Sequence, residues 1–326
     1  MDPFRRKPQQ LSGAALHRLA AGPERIVLVG AAGWLGMATL ELLADTLGPD
    51  FEDRVVAFGS SERALTLRGG QVVPQSPLQG LGRLSSRPTV VLHLAFLTKD
   101  RAEAMPHDAY VAANRAISGQ VLDTLDAIGA GAVFVPSSGA VYAVDDPAAS
   151  EATRLYGRLK LDDEAAFSAW AERSGGRVAI ARVFNVSGPY MNKLASYALS
   201  AFILDVLAGR PIEIRATRPV FRSYVAIREL MSVALSLTLD GGGVTRFDTA
   251  GEEALEMADI AEAVRLALGR PDHPIRRPQL SGATADVYLG DRALYSELRS
   301  GARVDLVGFP TQVRETADYL AGIEAS

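Results

Sequence analysis

The stretch LYGRLKLDDEAA, residues 155 to 166, sets Tyr156 four residues ahead of Lys160. Of the 34 basic residues only Lys7, Lys99, Lys160 and Lys193 are lysine, so Lys160 stands where arginine is the rule. On a helix the two side chains share a face, about 6 Å apart along the axis. A tyrosine that moves protons near neutral pH must lose about 3 units from its free value of roughly 10, worth about 4 kcal/mol. An ammonium at about 5 Å, in an effective dielectric near 20, supplies on the order of 3 kcal/mol of that. Arginine carries the same charge, but its wide planar fork suits carboxylates and phosphates better than a compact slot beside a phenol. Nine tyrosines and the few lysines of this chain give about 0.1 such pairs by chance, so the surroundings must decide.

Upstream, FVPSSGAVYA puts Ser138 at the carboxyl end of an apolar run, the end at which α/β sheets bind ligands. A hydroxyl there can hydrogen-bond a substrate hydroxyl or carbonyl and polarise it. Nearer the start, VLVGAAGWLGMATLELL spaces Gly30, Gly33 and Gly36 by three between a strand-like and a helix-like segment. Glycines let the backbone approach a pyrophosphate, and a helix start offers free N–H groups and a positive dipole end. Gly30, Gly33, Trp34, Leu35 and Gly36 are therefore the expected dinucleotide cradle, and an oxidised nicotinamide held there could add the rest of the Tyr156 shift. At the end of the second strand an NAD site usually supplies an acid for the ribose 2'-hydroxyl. Here FGSSER offers Ser60, Ser61 and Arg63, groups suited to a 2'-phosphate, which favours NADP; Glu62 keeps NAD as the alternative.

Positioning these groups falls to an alternation of strands and helices. RIVLVG (25–30), RVVAFG (54–59), TVVLHLA (89–95), GAVFVPS (131–137) and RVAIARV (177–183) read as buried parallel strands. Between them lie helical stretches at 35–48, 107–129 and 155–175, each closed by glycine. The pattern is an α/β fold, a Rossmann-type doubly wound parallel sheet with a smaller C-terminal substrate-binding lobe. We expect a loose N-terminal arm over 1–23 that ends in one or two helical turns, a dinucleotide-binding domain over 24–190, and a lobe over 191–326 whose chain returns to the main sheet around 220–250. With 326 residues, 48% of them hydrophobic, the chain has ample material for a core. A net charge of -4 gives no basic footprint for nucleic acid, and the absence of cysteine removes thiol chemistry and Cys-bearing zinc sites. His17, His93, His107 and His273 lack ligand spacing, so no metal is expected. No apolar run reaches the roughly 20 residues that span a bilayer, and the N-terminal stretch fits a secretory signal poorly. The expectation is a cytoplasmic protein without a membrane partner.

Together these pieces resemble the extended short-chain dehydrogenase/reductase family, in its nucleotide-sugar epimerase/dehydratase group. The resemblance runs from about residue 25 to 320 on GAAGWLG (30–36), VLHLAF (91–96), Asn114, SSGAVY (137–142), YGRLK (156–160), ARVFNVSGP (181–189) and FRSYVAIREL (221–230). It implies Ser138, Tyr156 and Lys160 as the catalytic triad, with Leu94 and Ala95 beside the cofactor and Asn114 as a support behind the lysine. It also implies that Asn185 contacts the substrate near its diphosphate and that Arg222 clamps that diphosphate. Lys193, a second rare lysine, is expected either to reach the substrate phosphates or to stand as a solvated lysine at a helix end. A homodimer is implied too, through helices around 107–128 and 155–173. Val111, Ile117, Val121, Leu122 and Leu125 would serve either that interface or the sheet.

The departures narrow the reaction. In the family's 4,6-dehydratases an Asp-Glu pair follows the triad hydroxyl, and here those positions are Gly139 and Ala140. Epimerases that invert by proton transfer at carbon need a further acid-base pair, often with cysteine, which this chain lacks. Ala143 replaces the usual glycine after Tyr142, and GGQVVPQSP lacks the acid often found after the third strand. What remains is hydride transfer. The expected activity is NADP-dependent reduction of a nucleotide-linked 4-keto sugar, with Tyr156 donating the proton. The alternatives are an NAD-dependent C4 epimerase and a non-catalytic dinucleotide-binding sensor or scaffold.

Overall fold

A computed structural model of the chain describes residues 8–194 and 196–324. Its strands begin with β1 (Arg25–Val29), β2 (Val55–Gly59), β3 (Arg63–Thr66), β4 (Val72–Pro77), β5 (Thr89–His93), β6 (Ala130–Ser138) and β7 (Arg177–Val183). Shorter strands follow: β8 (Val186–Ser187), β9 (Ile212–Glu213), β10 (Val220–Arg222), β11 (Val225–Ala226), β12 (Val244–Asp248), β13 (Leu255–Glu256), β14 (Ile275–Arg276) and β15 (Asp286–Tyr288). The main sheet runs β12-β7-β6-β5-β1-β2-β4-β3, and β10 is the centre of a second sheet, β13-β10-β15. Every pairing in the main sheet is parallel except the edge pair β3 and β4. Successive strands leave β1 in opposite directions, β2 on one side and β5 on the other, so a crevice opens beyond its carboxyl end.

The helices are α1 (Gly13–Ala21), α2 (Trp34–Leu47), the one-turn α3 (Phe51–Arg54), α4 (Lys99–Ala104), α5 (His107–Leu122), α6 (Glu151–Ser174), α7 (Ala198–Leu207), α8 (Ile227–Asp240), α9 (Met257–Ala267), α10 (Arg292–Gly301) and α11 (Phe309–Glu324). Alternate residues of β1 explain why its run is apolar throughout. Ile26 and Leu28 pack with Leu40 and Leu43 of α2 and Leu230 of α8, whereas Val27 and Val29 share the opposite core with Val121 of α5 and Phe167 and Trp170 of α6. Burying a ring such as Trp170 contributes about 2–3 kcal/mol, and its indole N–H finds Asp126 Oδ1 at 2.8 Å. A third core joins α7, α9 and α11 through Phe202, Ile260 and Val313. Among the described residues no helix is long and apolar enough to cross a membrane.

Three expectations need correction. The N-terminal arm is not loose over its described part: α1 buries Ala15 and Leu19, and Ser12 and Ala15 donate backbone N–H groups to Ser232 and Ser236 of α8 at 3.1 and 3.0 Å. A short helix with an i, i+4 apolar pair docks when a neighbour supplies both an apolar face and acceptors. The β3–β4 hairpin lies where no strand was expected, because an edge pair needs to bury only alternate residues such as Val73 and Gln75. Finally, the helix expected to reach 129 ends at Leu122. Val121 and Leu125 lie wholly within the sheet-facing core, so they serve the sheet, while Val111, Ile117 and Leu122 stay half-buried.

Candidate active site

The glycine turn follows β1 directly. Gly30 has φ +90, and a Cβ on it would lie 2.5 Å from the backbone N of Ala95, so glycine is required here. A Cβ on Gly36 would meet the carbonyl oxygens of Ala31 and Gly30 at 2.4 Å, which is how closely α2 approaches the turn. Gly33 caps α2 without a side-chain acceptor, leaving the first amides of the helix, those of Trp34 and Leu35 among them, uncapped by side chains. The Trp34 indole donates to Pro189 O at 2.8 Å and ties the helix start to the segment after β8. Leu94 donates its N–H to Val29 O at 2.8 Å, bringing Leu94 and Ala95 against the same turn. Such a turn, with glycines at its close approaches and free amides at the helix start, is the kind of backbone feature that can hold a pyrophosphate. Ser60, Ser61 and Arg63 stand exposed beyond β2, with Arg63 Nη2 3.4 Å from Ser61 Oγ.

Ser138 ends β6 and Tyr156 sits on the second turn of α6. They meet because Gly157 brings the helix onto the turn after β6: a Cβ on Gly157 would lie 2.4 Å from Ala140 O. Ser150 caps α6 by accepting from the Thr153 amide at 3.2 Å, which fixes where that turn begins. Burial pushes the Tyr156 phenol above its ordinary range, and the neighbouring Ser138 hydroxyl pulls it partly back; Ser138 Oγ itself accepts from the Ala140 amide at 3.2 Å. Its ring packs edge-on against Phe96 at 5.7 Å. The Lys160 ammonium donates to Pro136 O at 2.8 Å, lies 3.6 Å from the centre of the Phe96 ring, and is 5.9 Å from that of Tyr156. Burial pulls Lys160 down to about 8, against the opposing pull of Asp163 and Glu164.

This corrects the expectation that the lysine supplies most of the tyrosine's shift. The lysine is within reach, but its hydrogen bond goes to a carbonyl and desolvation dominates the phenol. Asn114 is a second correction. Its Oδ1 accepts from the Leu97 amide at 2.8 Å and its Nδ2 donates to Tyr110 O at 3.2 Å, so it pins the loop after β5 rather than the lysine.

Of the expected substrate residues, Arg222 lies beside Tyr288. Its Nη1 pairs with Asp286 Oδ1 at 3.0 Å and its guanidinium carbon lies 5.8 Å from the centre of the Tyr288 ring. Asn185 keeps a buried Nδ2 without a partner, a donor still to be satisfied. Lys193 is engaged elsewhere: it pairs with Asp100, which it holds below the ordinary carboxylate range, and donates to Thr98 Oγ1 at 2.8 Å. A flexible ammonium beside a carboxylate takes that partner first.

Sequence reasoning missed Tyr288 and Tyr197. Tyr288, on β15, sits where a Cβ on Gly139 would lie 2.6 Å from its hydroxyl, and the Ser138 hydroxyl pulls on its ionisation as it does on that of Tyr156. Tyr197, just ahead of α7, is close enough to both phenols to influence their ionisation. From Tyr197 a groove of about 580 Å³ extends along the C-terminal lobe, lined among others by Phe202, Arg210, Arg215 and Met257. The one signal for Tyr288 is a short β-rich DVYLGD after a Pro- and Gly-rich stretch, which marks a strand but not its destination.

Comparison with known proteins agrees with this layout. Residues 26–241 match the NAD dependent epimerase/dehydratase family. The dTDP-L-rhamnose 4-epimerase of Burkholderia thailandensis is 26% identical over 137 residues, which cover 41% of this chain and 36% of that protein. Among solved structures, UDP-N-acetylglucosamine 4-epimerase from Methanobrevibacter ruminantium M1 aligns with a TM-score of 0.71 at 20% identity, over 92% of this chain and 99% of its own. UDP-glucose 4-epimerase from Thermotoga maritima gives 0.68 at 17% over 92% and 99%, and DesIV, a dTDP-glucose 4,6-dehydratase from Streptomyces venezuelae, gives 0.67 at 19% over 92% and 98%. At these identities the structures speak to the fold alone. The family match over most of the sheet carries more: this chain belongs to the NAD-dependent epimerase/dehydratase family and is an enzyme of the extended short-chain dehydrogenase/reductase type.

Proposed function

We propose that the chain transfers hydride at a ring carbon of a nucleotide-linked sugar, as a C4 epimerase that holds NAD through its cycle. The observation that carries the reading is the composition of the cluster: hydroxyls of Ser138, Tyr156 and Tyr288 meet there, and Gly139 and Ala140 bring no carboxylate for an elimination. A bound nicotinamide supplies the hydride acceptor and donor. In the oxidative half Tyr156 takes the proton of the sugar hydroxyl as hydride departs; in the reductive half it returns that proton to the ketone oxygen. Proton and hydride are thus both restored. Lys160 favours the phenolate form that Tyr156 holds before the first transfer and regains after the second, and Ser138 holds the reacting oxygen in line with the phenol. Arg222 and the Asn185 amide would take the diphosphate, and the groove past Tyr197 has room for the base. The part-length match to a 4-epimerase supports the choice of carbon.

A second reading, net reduction of a 4-keto sugar with NADPH, is favoured by the exposed Ser60 and Arg63 beside β2 and by a Tyr156 phenol that burial keeps protonated. One experiment separates the two. The purified protein is denatured and its released dinucleotide identified by mass, and the native protein is given UDP- and dTDP-hexoses without added cofactor, with products followed by proton NMR. Bound NAD and interconversion of C4 epimers are the expected result. Stoichiometric NADPH oxidation with a keto sugar, weakened about tenfold in NADPH affinity by Arg63→Ala, would establish the second reading instead.

A further inference from the structure

One ion pair joins the two segments that leave the sheet beside the glycine turn, and the proposed chemistry does not use it. Lys193, between β8 and α7, pairs with Asp100 in the first turn of α4 and donates to Thr98 Oγ1 at 2.8 Å. Each of the two segments is fixed independently of this pair. The one after β5 is held first at the turn, where a Cβ on Gly30 would meet the Ala95 backbone N at 2.5 Å and where Leu94 donates to Val29 O at 2.8 Å. Its next hold is at Leu97, whose N–H donates to Asn114 Oδ1 at 2.8 Å and whose carbonyl accepts from the Tyr110 hydroxyl at 2.7 Å. Thr98 follows directly, so the groups offered to Lys193 stand on a braced stretch.

The segment after β8 is fixed on α2, on both sides of Lys193 in the chain. Before it, Pro189 O accepts from the Trp34 indole at 2.8 Å. Tyr190 donates to Glu41 at 2.9 Å from a left-handed backbone of φ +65, a conformation a tyrosine keeps only when its surroundings hold it there. After it, the Tyr197 ring packs edge-on against Trp34 at 5.6 Å. The contacts therefore close a circuit. It leaves the glycine turn through residues 94–98, crosses to Lys193, and returns through Pro189 and Tyr197 to Trp34, the first residue of the helix that the turn begins. The link at Lys193 differs in kind from the rest, which are backbone contacts, part-buried hydrogen bonds and a ring contact. Its carboxylate is 57% exposed and its lysine 29%. A solvated ion pair is individually weak and opens readily, so the circuit parts there first.

We propose that Lys193, Asp100 and Thr98 form a latch across the mouth of the dinucleotide cradle, and that a dinucleotide enters and leaves when this link is open. The proposal rests on the proposed function in one respect, that the cradle takes a dinucleotide; turnover of a sugar does not enter it. A cofactor kept through a catalytic cycle is then retained by closure of the protein as well as by its own contacts. The test follows binding rates. Protein freed of dinucleotide is mixed with NADH or NADPH, whichever binds, and the bound form is then chased with an excess of the oxidised dinucleotide. Energy transfer from tryptophan to the reduced nicotinamide reports both steps, since Trp34 stands on the turn. Asp100→Asn and Lys193→Met should each raise the association and dissociation rate constants together, by about threefold to tenfold, and leave Kd and the melting temperature near those of wild type. Raising NaCl from about 0.05 M to about 0.5 M should speed release more in wild type than in either variant. Lys99→Gln breaks a comparable exposed pair on the same helix, with Glu103 at 3.2 Å, and should leave both rates as they are. An equal rise in Lys99→Gln would mean that any lost charge loosens α4, and overturns the latch. Faster release with unchanged association makes Lys193 a direct contact of the dinucleotide, and unchanged rates in both variants leave the ion pair idle; either result overturns the proposal while dinucleotide binding stands. Failure to bind either dinucleotide overturns the proposal and the reading beneath it together.

Discussion

The glycine turn and the hydroxyl cluster open on the same edge of one sheet, yet they are built by opposite means. The turn is contiguous, residues 30–36, and works through backbone that glycines keep bare. The cluster is side chains drawn from β6, α6, the approach to α7, and β15, with Tyr288 separated from Ser138 by most of the second half of the chain. The first depends on bare backbone at Gly30 and Gly36, where a Cβ would strike neighbouring backbone; the second depends on where remote elements dock. Substitution should break the two in different ways.

The largest effect belongs to the cluster. Tyr156→Phe removes the one hydroxyl assigned to carry the proton, and turnover should fall by about a thousandfold or more. Dinucleotide binding and the melting temperature should stay close to wild type, since the ring and its packing on Phe96 remain. Retained turnover would show that another phenol, Tyr288 first among them, moves the proton. Next comes Gly30→Ala in the turn. At φ +90 the new methyl meets the backbone of Ala95 at 2.5 Å, and no side-chain rotation relieves it. Loss of about 2 kcal/mol of stability is expected, with dinucleotide affinity falling alongside turnover in a fluorescence titration. The smaller cluster change, Gly139→Ala, sets a methyl 2.6 Å from the Tyr288 hydroxyl and 2.8 Å from the Phe184 ring. Displacing Tyr288 should lower kcat roughly tenfold to a hundredfold and leave dinucleotide affinity alone. If Gly139→Ala weakened the dinucleotide as much as the sugar, the separation of the two halves would be wrong.

That separation also explains what could be read from the chain before its fold was known. The parallel strands, the turn at Gly30, Gly33 and Gly36, and the Tyr156/Lys160 pair are local patterns, and each is found at the sheet edge where its spacing implied. The pairing of Lys193 with Asp100, the docking of α1 on Ser232 and Ser236, and the arrival of Tyr288 at Ser138 are contacts between distant segments. No spacing announces them. The magnitude assigned to Lys160 failed for a related reason. Coulomb's law at a guessed distance omits the burial of both groups, and burial is the largest influence on each.

The smallest test concerns the polar side of the same helix, where the charges are, and it reads stability rather than turnover. His93 is buried in β5 and held down to about 3, chiefly by desolvation and further by the neighbouring charge of Lys160. In the unfolded chain a histidine titrates near 6.5. Between those values the unfolded state binds a proton that the folded state refuses, so this residue's contribution to stability is complete above the unfolded value and is lost as pH falls through the window. At pH 5.5 the loss attributable to His93 should be about 1 kcal/mol relative to pH 7.5, measured by urea unfolding at the two pH values. His93→Gln removes the titration but keeps a polar side chain within reach of Ser118, and should shrink that difference by the same amount. Carboxylates elsewhere act in both chains alike and cancel in the comparison. An equal pH dependence in the two proteins would mean that the folded imidazole accepts its proton after all, with Asp163 beside it as the partner.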